Sequence, residues 1–322
     1  MKAVEYTEYG SPDVLRVVDV DRPEPGPDEV LVAVRAVSVN GSDWEGLTGR
    51  PAYARLGGLR RPRRRVLGSD VAGTVVAVGA DVTTFAPGDD VYADLLDRLG
   101  CFAEHVCAPA RSFAPLPDGM SFVEASAVPQ AGVIALRGIV DRGRVRAGQR
   151  VLVNGAGGGA GAYAVQLAVL AGAEVTAVDT AHKADHLRSL GAVRVLDHRV
   201  DDWTRTGPYD LVLDLACYRS VGAIARGVAP GGTYLVVGGA VRSLLQVLLL
   251  GPLVGLAGRK RLRVLAVPLG VRHVGPLVDL LQAGAVRTVV DRTFPLEQTA
   301  EALRRHGSGR SVGKVVVTVD PT

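Results

Sequence analysis

The sequence is short of lysine: Lys2, Lys183, Lys260 and Lys314 are all it has, and arginine supplies nearly all the positive charge behind a net +4. With so much Ala, Gly and Val alongside, the skew reads as a GC-rich coding bias. It does not describe a nucleic-acid surface, since net charge bears on association and not on fold. Cysteine is scarce too. Cys101, Cys107 and Cys217 form no CxxC pair and no metal-ligand cluster, so a reduced, cytoplasmic setting with free thiols is expected. No apolar run reaches the ~18 residues needed to cross a bilayer. Met1 to Val20 lacks the apolar core of a secretory signal. Aromatic residues are not interleaved with the arginines and no recognised binding module is present, which turns the reading away from nucleic acid.

What is there suits two folded domains. The chain has 322 residues, 48% of them hydrophobic, with 40 glycines to make tight turns. Lys2 to Tyr6, Val14 to Val18, Glu29 to Val39 and Val66 to Val78 read as strands punctuated by Gly and Pro, a β-rich, barrel-like first domain. After Pro117-Asp118-Gly119 the texture changes. Ser121 to Val128 and Gly132 to Asp141 look helical, with Pro129 between them. From Gln149 onward strands alternate with helices, and repeated βα units argue for a doubly wound parallel sheet. Arg263 to Leu269 reads as its last strand and Val274 to Ala283 as a helix. Leu244 to Leu256, interrupted by Gly251 and Pro252, reads as a buried helix or subunit contact, with membrane-surface binding as the alternative. The tail, helical after Pro295 and strand-like over Lys314 to Val319, is expected to return to the first domain. The expected division is therefore 1–120 with 285–322, and 121–284.

The organising stretch is Val151-Leu152-Val153-Asn154-Gly155-Ala156-Gly157-Gly158-Gly159-Ala160-Gly161. A buried-type strand feeds a glycine turn and then a helix, the order that brings a helix N-terminus against a phosphate. Ala156-x-Gly158-x-x-Gly161 is the dinucleotide fingerprint with alanine in its first place.

The surroundings of that turn, through Gly191-Ala192, Tyr209-Asp210-Leu211-Val212-Leu213-Asp214 and Gly231-Gly232-Thr233-Tyr234, resemble the coenzyme domain of the medium-chain dehydrogenase/reductase superfamily. Gly68-Ser69-Asp70-Val71-Ala72-Gly73 through Gly88-Asp89 resembles its GroES-like catalytic domain, and Gly313-Lys314-Val315-Val316-Val317 its last strand. The chain looks most like the zinc-free quinone oxidoreductase branch. The resemblance implies an α/β protein: a Rossmann sheet domain, a β-rich GroES-like partial barrel and an active cleft between them. Zinc-dependent relatives carry ligands where this chain has Asn40, Ser69 and Gln130, none of them a good zinc ligand, so no metal is expected.

Without a Lewis acid the suited chemistry is hydride transfer from NAD(P)H to an activated C=C or a quinone, where hydrogen-bond donors stabilise charge on a conjugated oxygen. The resemblance places the cofactor on Ala156, Gly157, Gly158, Gly159, Ala160 and Gly161, with Thr180 and Gly238 completing the site. Asp179 ends the second strand, where a carboxylate accepts from ribose hydroxyls and favours NADH. Lys183, His198, Arg199 and Arg310 are cations for a 2′-phosphate, and NADPH is the expected cofactor, with NADH open. Asn40 is a donor to the substrate carbonyl or to the carboxamide. Asp43 either orients water or satisfies backbone amides. Tyr53 is a pocket wall or proton source, and Trp44 a further wall. Arg60, Arg61, Arg63, Arg64 and Arg65 form either a solvated loop or a rim that attracts an acidic substrate. An apolar, conjugated small molecule is the expected substrate, and the resemblance suggests a homodimer. Two alternatives stand beside the reductase: a reductive cyclase of a polyene-type natural product, and a cofactor-binding sensor without turnover.

Overall fold

The computed structural model describes residues 1–320, which form two compact units. In chain order the first unit opens with β1 (Lys2–Glu5), β2 (Arg16–Asp19), β3 (Glu29–Ser38), α1 (Gly41–Thr48), β4 (Asp70–Val78), β5 (Asp90–Asp94), β6 (His105–Pro109), β7 (Phe113–Pro115) and α2 (Phe122–Ser126). α3 (Pro129–Ala135) runs on into a π-helical turn, Leu136–Asp141. The second unit then holds β8 (Arg150–Asn154), α4 (Gly159–Leu170), β9 (Glu174–Asp179), α5 (Ala184–Ser189), β10 (Arg194–Asp197), β11 (Tyr209–Asp214), α6 (Val221–Gly227), β12 (Val228–Val236), α7 (Val241–Gly258) and β13 (Arg261–Val264). α8 (Gly275–Gln282), β14 (Val290–Pro295), α9 (Thr299–Gly307) and β15 (Lys314–Thr318) belong to the first unit again.

In the first unit β3 is the hub. One edge pairs with β4 along its length, and the other is shared by β6 over its first half and β15 over its last three residues. The tail does return to this unit. β14, whose residues 291–293 are mostly polar and carry no apolar alternation, adds in parallel at the outer edge of β15. Val30, Val32, Val34 and Val37 of β3 are fully buried in a core shared with Val315, Val317 and Phe102.

The second unit is a parallel sheet in the order β10-β9-β8-β11-β12-β13, the doubly wound 3-2-1-4-5-6 arrangement. Val151, Leu152 and Val153 are wholly buried, as a strand with helices on both faces must be.

The boundaries differ from those expected. The first unit extends to Gln130 and reclaims Pro268–Gly284. The cause is packing: α2 lies on β3 and β4, and Gly270 N–H donates to the Asp94 carboxylate at 3.1 Å. Two helices form on either side of the expected break, and Pro129 is the first residue of the second, where its missing N–H costs nothing. Of the expected last strand, 263–269, only residues 263 and 264 are strand, and β13 begins two residues earlier, at Arg261.

Of the expected buried helix or subunit contact over 244–256, the buried helix is corrected. α7 passes straight through Gly251 and Pro252, burying Ser243, Val247, Gly251 and Gly255 at four-residue spacing. Leu245, Leu248, Leu249, Leu253 and Leu256 are exposed around the rest of it. With 18 residues and mean hydropathy 1.6, this helix reaches the length and composition of a membrane span, although its sequence is interrupted by Arg242, Ser243 and Gln246. It packs on β13 and α6 of its own unit.

Candidate functional site

The glycine turn follows from close approach. At the end of β8 the chain enters a left-handed conformation at Gly155 (φ +81°), and the Gly155 and Ala156 N–H groups donate to Val178 O on β9. A Cβ on Gly161 would sit 2.2 Å from Gly155 O, so the first turn of α4 can meet the strand–turn backbone only as glycine. Gly158, the residue before α4, is different: the nearest atom to a Cβ there is 3.6 Å away. The protein itself makes no demand for glycine at this position. It leaves the front of a helix N-terminus open, flanked by Gly159 and Ala160, which is the cradle a pyrophosphate needs. The turn lies where the strand order reverses between β8 and β11. There Asn154 donates to Asp214 (2.8 Å), which also accepts from Tyr234 Oη (2.8 Å). Burial raises the Asp214 pKa.

Asp179 and Lys183, which pull cofactor choice in opposite directions, bind each other. Lys183 Nζ lies 2.9 Å from Asp179 Oδ1, and both side chains are nearly buried. Asp179 Oδ2 accepts from Gly157 N–H at 2.8 Å, and Oδ1 from Thr180 N–H at 2.9 Å. The Lys183 stem lies across Gly157, where a Cβ would meet its Cδ at 2.4 Å; this is the second glycine of the turn that packing demands. His198 and Arg199 are exposed just past β10, the strand beside β9. Gly238 follows β12 in a left-handed conformation (φ +71°) with open space at its Cβ position. Arg310 lies on the exposed turn after α9, in the first unit.

In the first unit Asn40, Ser69 and Gln130 do converge, on a buried polar cluster. Gln130 Nε2 donates to Ser69 Oγ (2.6 Å) and Asp70 Oδ1 (3.2 Å), and its backbone N–H donates to Asp70 Oδ2 (3.1 Å). At the centre stands a residue the sequence reading used only as a strand marker. Lys314 Nζ, from the head of β15, donates to Asn40 Oδ1 and lies 3.9 Å from Asp70 Oδ2. An ammonium has only donors, so the carbonyl end of the Asn40 amide must face it. The other end, Nδ2, is buried and makes no hydrogen bond of normal geometry, although it lies near enough to Asp70 to favour that carboxylate's charge. Burial raises the Asp70 pKa against the pull of Lys314, and lowers that of Lys314 against the pull of Asp70, Asp43 and Asp94. The signal for Lys314 was available: one of only four lysines, heading a valine run that had to be interior.

Asp43 is wholly buried on the first turn of α1 and accepts from two backbone N–H groups, Asn40 (2.8 Å) and Gly68 (2.9 Å). That is the arrangement of the backbone-satisfying alternative. Burial pushes its pKa up to about 6 from 3.8, with the two N–H groups opposing. The native state therefore holds this proton more tightly than the unfolded chain. Its contribution favours the fold fully below about pH 3.8 and is lost as pH rises through about 6. Asp43→Asn, which cannot titrate, should flatten the melting temperature against pH across that window; an unchanged profile would assign the slope elsewhere.

Tyr53 sits half-exposed on the turn Ala52–Gly57 and donates to Glu45 Oε1 (2.8 Å); burial, then Glu45, raises its pKa. Trp44 packs over Gly307, where a Cβ would lie 2.2 Å from the indole, so it joins α1 to α9. No group of three or more His, Cys, Asp or Glu side chains suited to a metal ion occurs among the described residues.

A β-rich unit built around β3 and a doubly wound unit with an open glycine cradle together describe the medium-chain class of nicotinamide-dependent oxidoreductases. Residues 26–118 match the alcohol dehydrogenase GroES-like domain, and residues 190–317 match the zinc-binding dehydrogenase family model. The chain is 32% identical over 98% of its length to a chloroplastic quinone oxidoreductase of Triphysaria versicolor, covering 98% of that protein. It is 31% identical to a trans-enoyl reductase of Aspergillus terreus, with 92% of this chain and 88% of that one covered. Among solved structures, the quinone oxidoreductase of Coxiella burnetii superimposes with a TM-score of 0.87 at 27% identity over 99% of both chains. A mycobacterial protein complexed with NADPH does so with a TM-score of 0.83 at 28% identity, over 99% of this chain and all of the other. The chain belongs to the medium-chain dehydrogenase/reductase superfamily, in its zinc-free quinone oxidoreductase-like branch, and is an NAD(P)H-dependent oxidoreductase.

Proposed function

We propose that this protein transfers hydride from NADPH, without a metal, to the electron-poor carbon of an enone, an enoyl group or a quinone. The observation that carries this reading is Asn40. Lys314 holds its oxygen, and its buried Nδ2 has only a poorly formed contact with the Asp70 carboxylate, leaving it open to a better acceptor. A buried donor without a well-formed bond costs up to roughly 1–3 kcal/mol, a cost relieved when a carbonyl oxygen accepts from it. Ser69 and Gln130 bond each other instead of presenting ligands, which supports chemistry without zinc.

NADPH bound at the glycine turn supplies the hydride. The chain's own residues bind and orient: Gly158 and the N-terminus of α4 receive the pyrophosphate, with Ala156, Gly157, Gly159, Ala160 and Gly161 forming the turn. Thr180 and Gly238 line the same site. Lys183, with His198 and Arg199, would hold a 2′-phosphate in competition with Asp179. Asn40 donates to the oxygen on which charge develops. Tyr53 already donates to Glu45 and its raised pKa makes it a weak acid, so solvent is the proton source. Asp43 acts by holding the Asn40 loop. A reducing, cytoplasmic setting accords with three free cysteines. Two copies associate through the nucleotide units, where β13 is an edge strand.

The test is oxidation of NADPH and of NADH in the presence of simple quinones and enones. Cofactor protection against unfolding with no oxidation under any acceptor would point to a sensor; oxidation only with an elaborate polyene would point to a cyclase. Lys183→Ala should weaken NADPH at least about tenfold, or ~1.4 kcal/mol, more than NADH. Asp179→Asn, which frees Lys183, should strengthen NADPH relative to NADH. Equal shifts for the two cofactors would sink the phosphate assignment.

A further inference from the structure

The nucleotide unit leaves one side of α7 uncovered. Ser243, Val247, Gly251 and Gly255 form its buried stripe, where the helix packs on β13 and α6. On the opposite side Leu245, Leu249, Leu253 and Leu256 follow one another at helical spacing. The last three are 66%, 68% and 82% exposed, with Leu248 and Leu250 exposed beside them. Scattered surface leucines need no explanation, but a continuous row along one helix marks a contact surface. Arg242 heads the row and Arg259 follows its end. Both are exposed, and neither forms a salt bridge among the described residues. Past the end of the helix, Arg259, Arg261 and Arg263 share a groove with Pro252 and Leu256, so cations and apolar surface adjoin. The charge around the row is also of one sign. From Leu215 to Val278 the sequence has seven arginines, one lysine and no carboxylate, although the whole chain is only +4.

We propose that α7 docks this protein on the surface of an anionic lipid bilayer. The helix lies flat, with its leucine row in the boundary between headgroups and acyl chains and Arg242 and Arg259 on phosphates at its two ends, about 26 Å apart along the axis. It does not cross the bilayer, because its other side is packed on β13 and α6. Two other occupants fit this surface less well. A second copy seated here by a two-fold axis would set the same cations against one another, with no carboxylate between residues 215 and 278 to receive them. A soluble polyanion satisfies the arginines and leaves the leucines in water. An anionic bilayer offers negative charge and an apolar interior together, over the whole length of the row. Hydride transfer plays no part in this contact, which stands or falls apart from it.

The test is co-sedimentation of the full chain with vesicles of phosphatidylcholine alone and of phosphatidylcholine mixed with phosphatidylglycerol, across a salt series. Partitioning onto the anionic vesicles should be at least about tenfold stronger, and salt should erode the difference. Replacing Leu249, Leu253 and Leu256 together by Gln should weaken that partitioning at least about tenfold. Arg242→Gln with Arg259→Gln should remove most of the preference for anionic lipid. All five side chains are exposed, so the melting temperatures without vesicles should match wild type and serve as the check on folding. Leu253→Trp reads the same face without weakening it: its emission should move to shorter wavelength on anionic vesicles, as an indole leaving water does. Absence of binding to anionic vesicles overturns the proposal. So does binding that survives the leucine substitutions, or an emission unchanged at position 253 while the protein is bound. Sedimentation equilibrium that shows a dimer dissociating in the leucine variant, with no vesicle binding by wild type, overturns it in favour of a second copy. None of these results touches the reductase reading, which NADPH oxidation in vesicle-free solution tests separately.

Discussion

Gly161→Ala and Gly158→Ala, three residues apart in one turn, should fail in different ways. The added methyl at 161 falls 2.2 Å from Gly155 O and 2.6 Å from Ala156 Cα, both backbone atoms that cannot move without displacing β8 from its place in the sheet. A loss of about 3 kcal/mol in unfolding free energy is expected, at the upper end for overpacking. At 158 the same methyl meets nothing closer than 3.6 Å. Stability should change by no more than about 1 kcal/mol, the scale of replacing glycine by alanine at a helix cap. The loss there should appear in cofactor affinity, weakened by at least about tenfold, because the methyl occupies the space in front of the α4 N-terminus. Urea unfolding and cofactor titration on the same two variants check both halves. If Gly158→Ala binds NADPH and NADH like wild type, the phosphate does not lie at this turn.

Lys314→Met should be the most destabilising side-chain change in the first unit. It removes a buried ammonium and leaves Asp70, wholly buried, facing its neighbour Asp94 without a counter-charge. Removing one member of a buried ion pair costs about 3–5 kcal/mol. The 3.9 Å separation between Lys314 and Asp70 puts the expectation at the lower end of that range. The double variant Asp70→Asn/Lys314→Met takes away both charges and should recover more than half the loss. Equal instability of the single and double variants would mean that the lysine stem, and not its charge, supports the fold. The single variant should also lower kcat, since Asn40 loses the partner that orients its amide.

Much of the fold was legible because it follows from short-range rules. Val151 to Gly161 announces strand, turn and helix through residue type alone, and the alternation after Gln149 requires parallel strands. The return of 314–319 to the first unit was legible as a valine run with no local partner. β14 was not, because an edge strand bonded on one side carries no alternation that pattern reading can detect. α7 was misjudged for a related reason. An all-apolar stretch says that a helix is hydrophobic and nothing about which sides are covered, and packing buried only the Ser243, Val247, Gly251, Gly255 stripe.

The candidate site divides the same way. Sequence alone determined that a glycine turn precedes α4, a statement about residue type and spacing, while the resemblance put Asn40, Ser69 and Gln130, none a good zinc ligand, where zinc-dependent relatives carry theirs. Only tertiary structure decided that Lys314, 274 positions from Asn40, holds its amide, and that Asp179 and Lys183 neutralise each other. The first contact is brought about by the pairing of β15 with β3, and register is fixed by the whole buried face of a strand rather than by any residue within it; the second spans only four residues and depends on how the chain turns after β9.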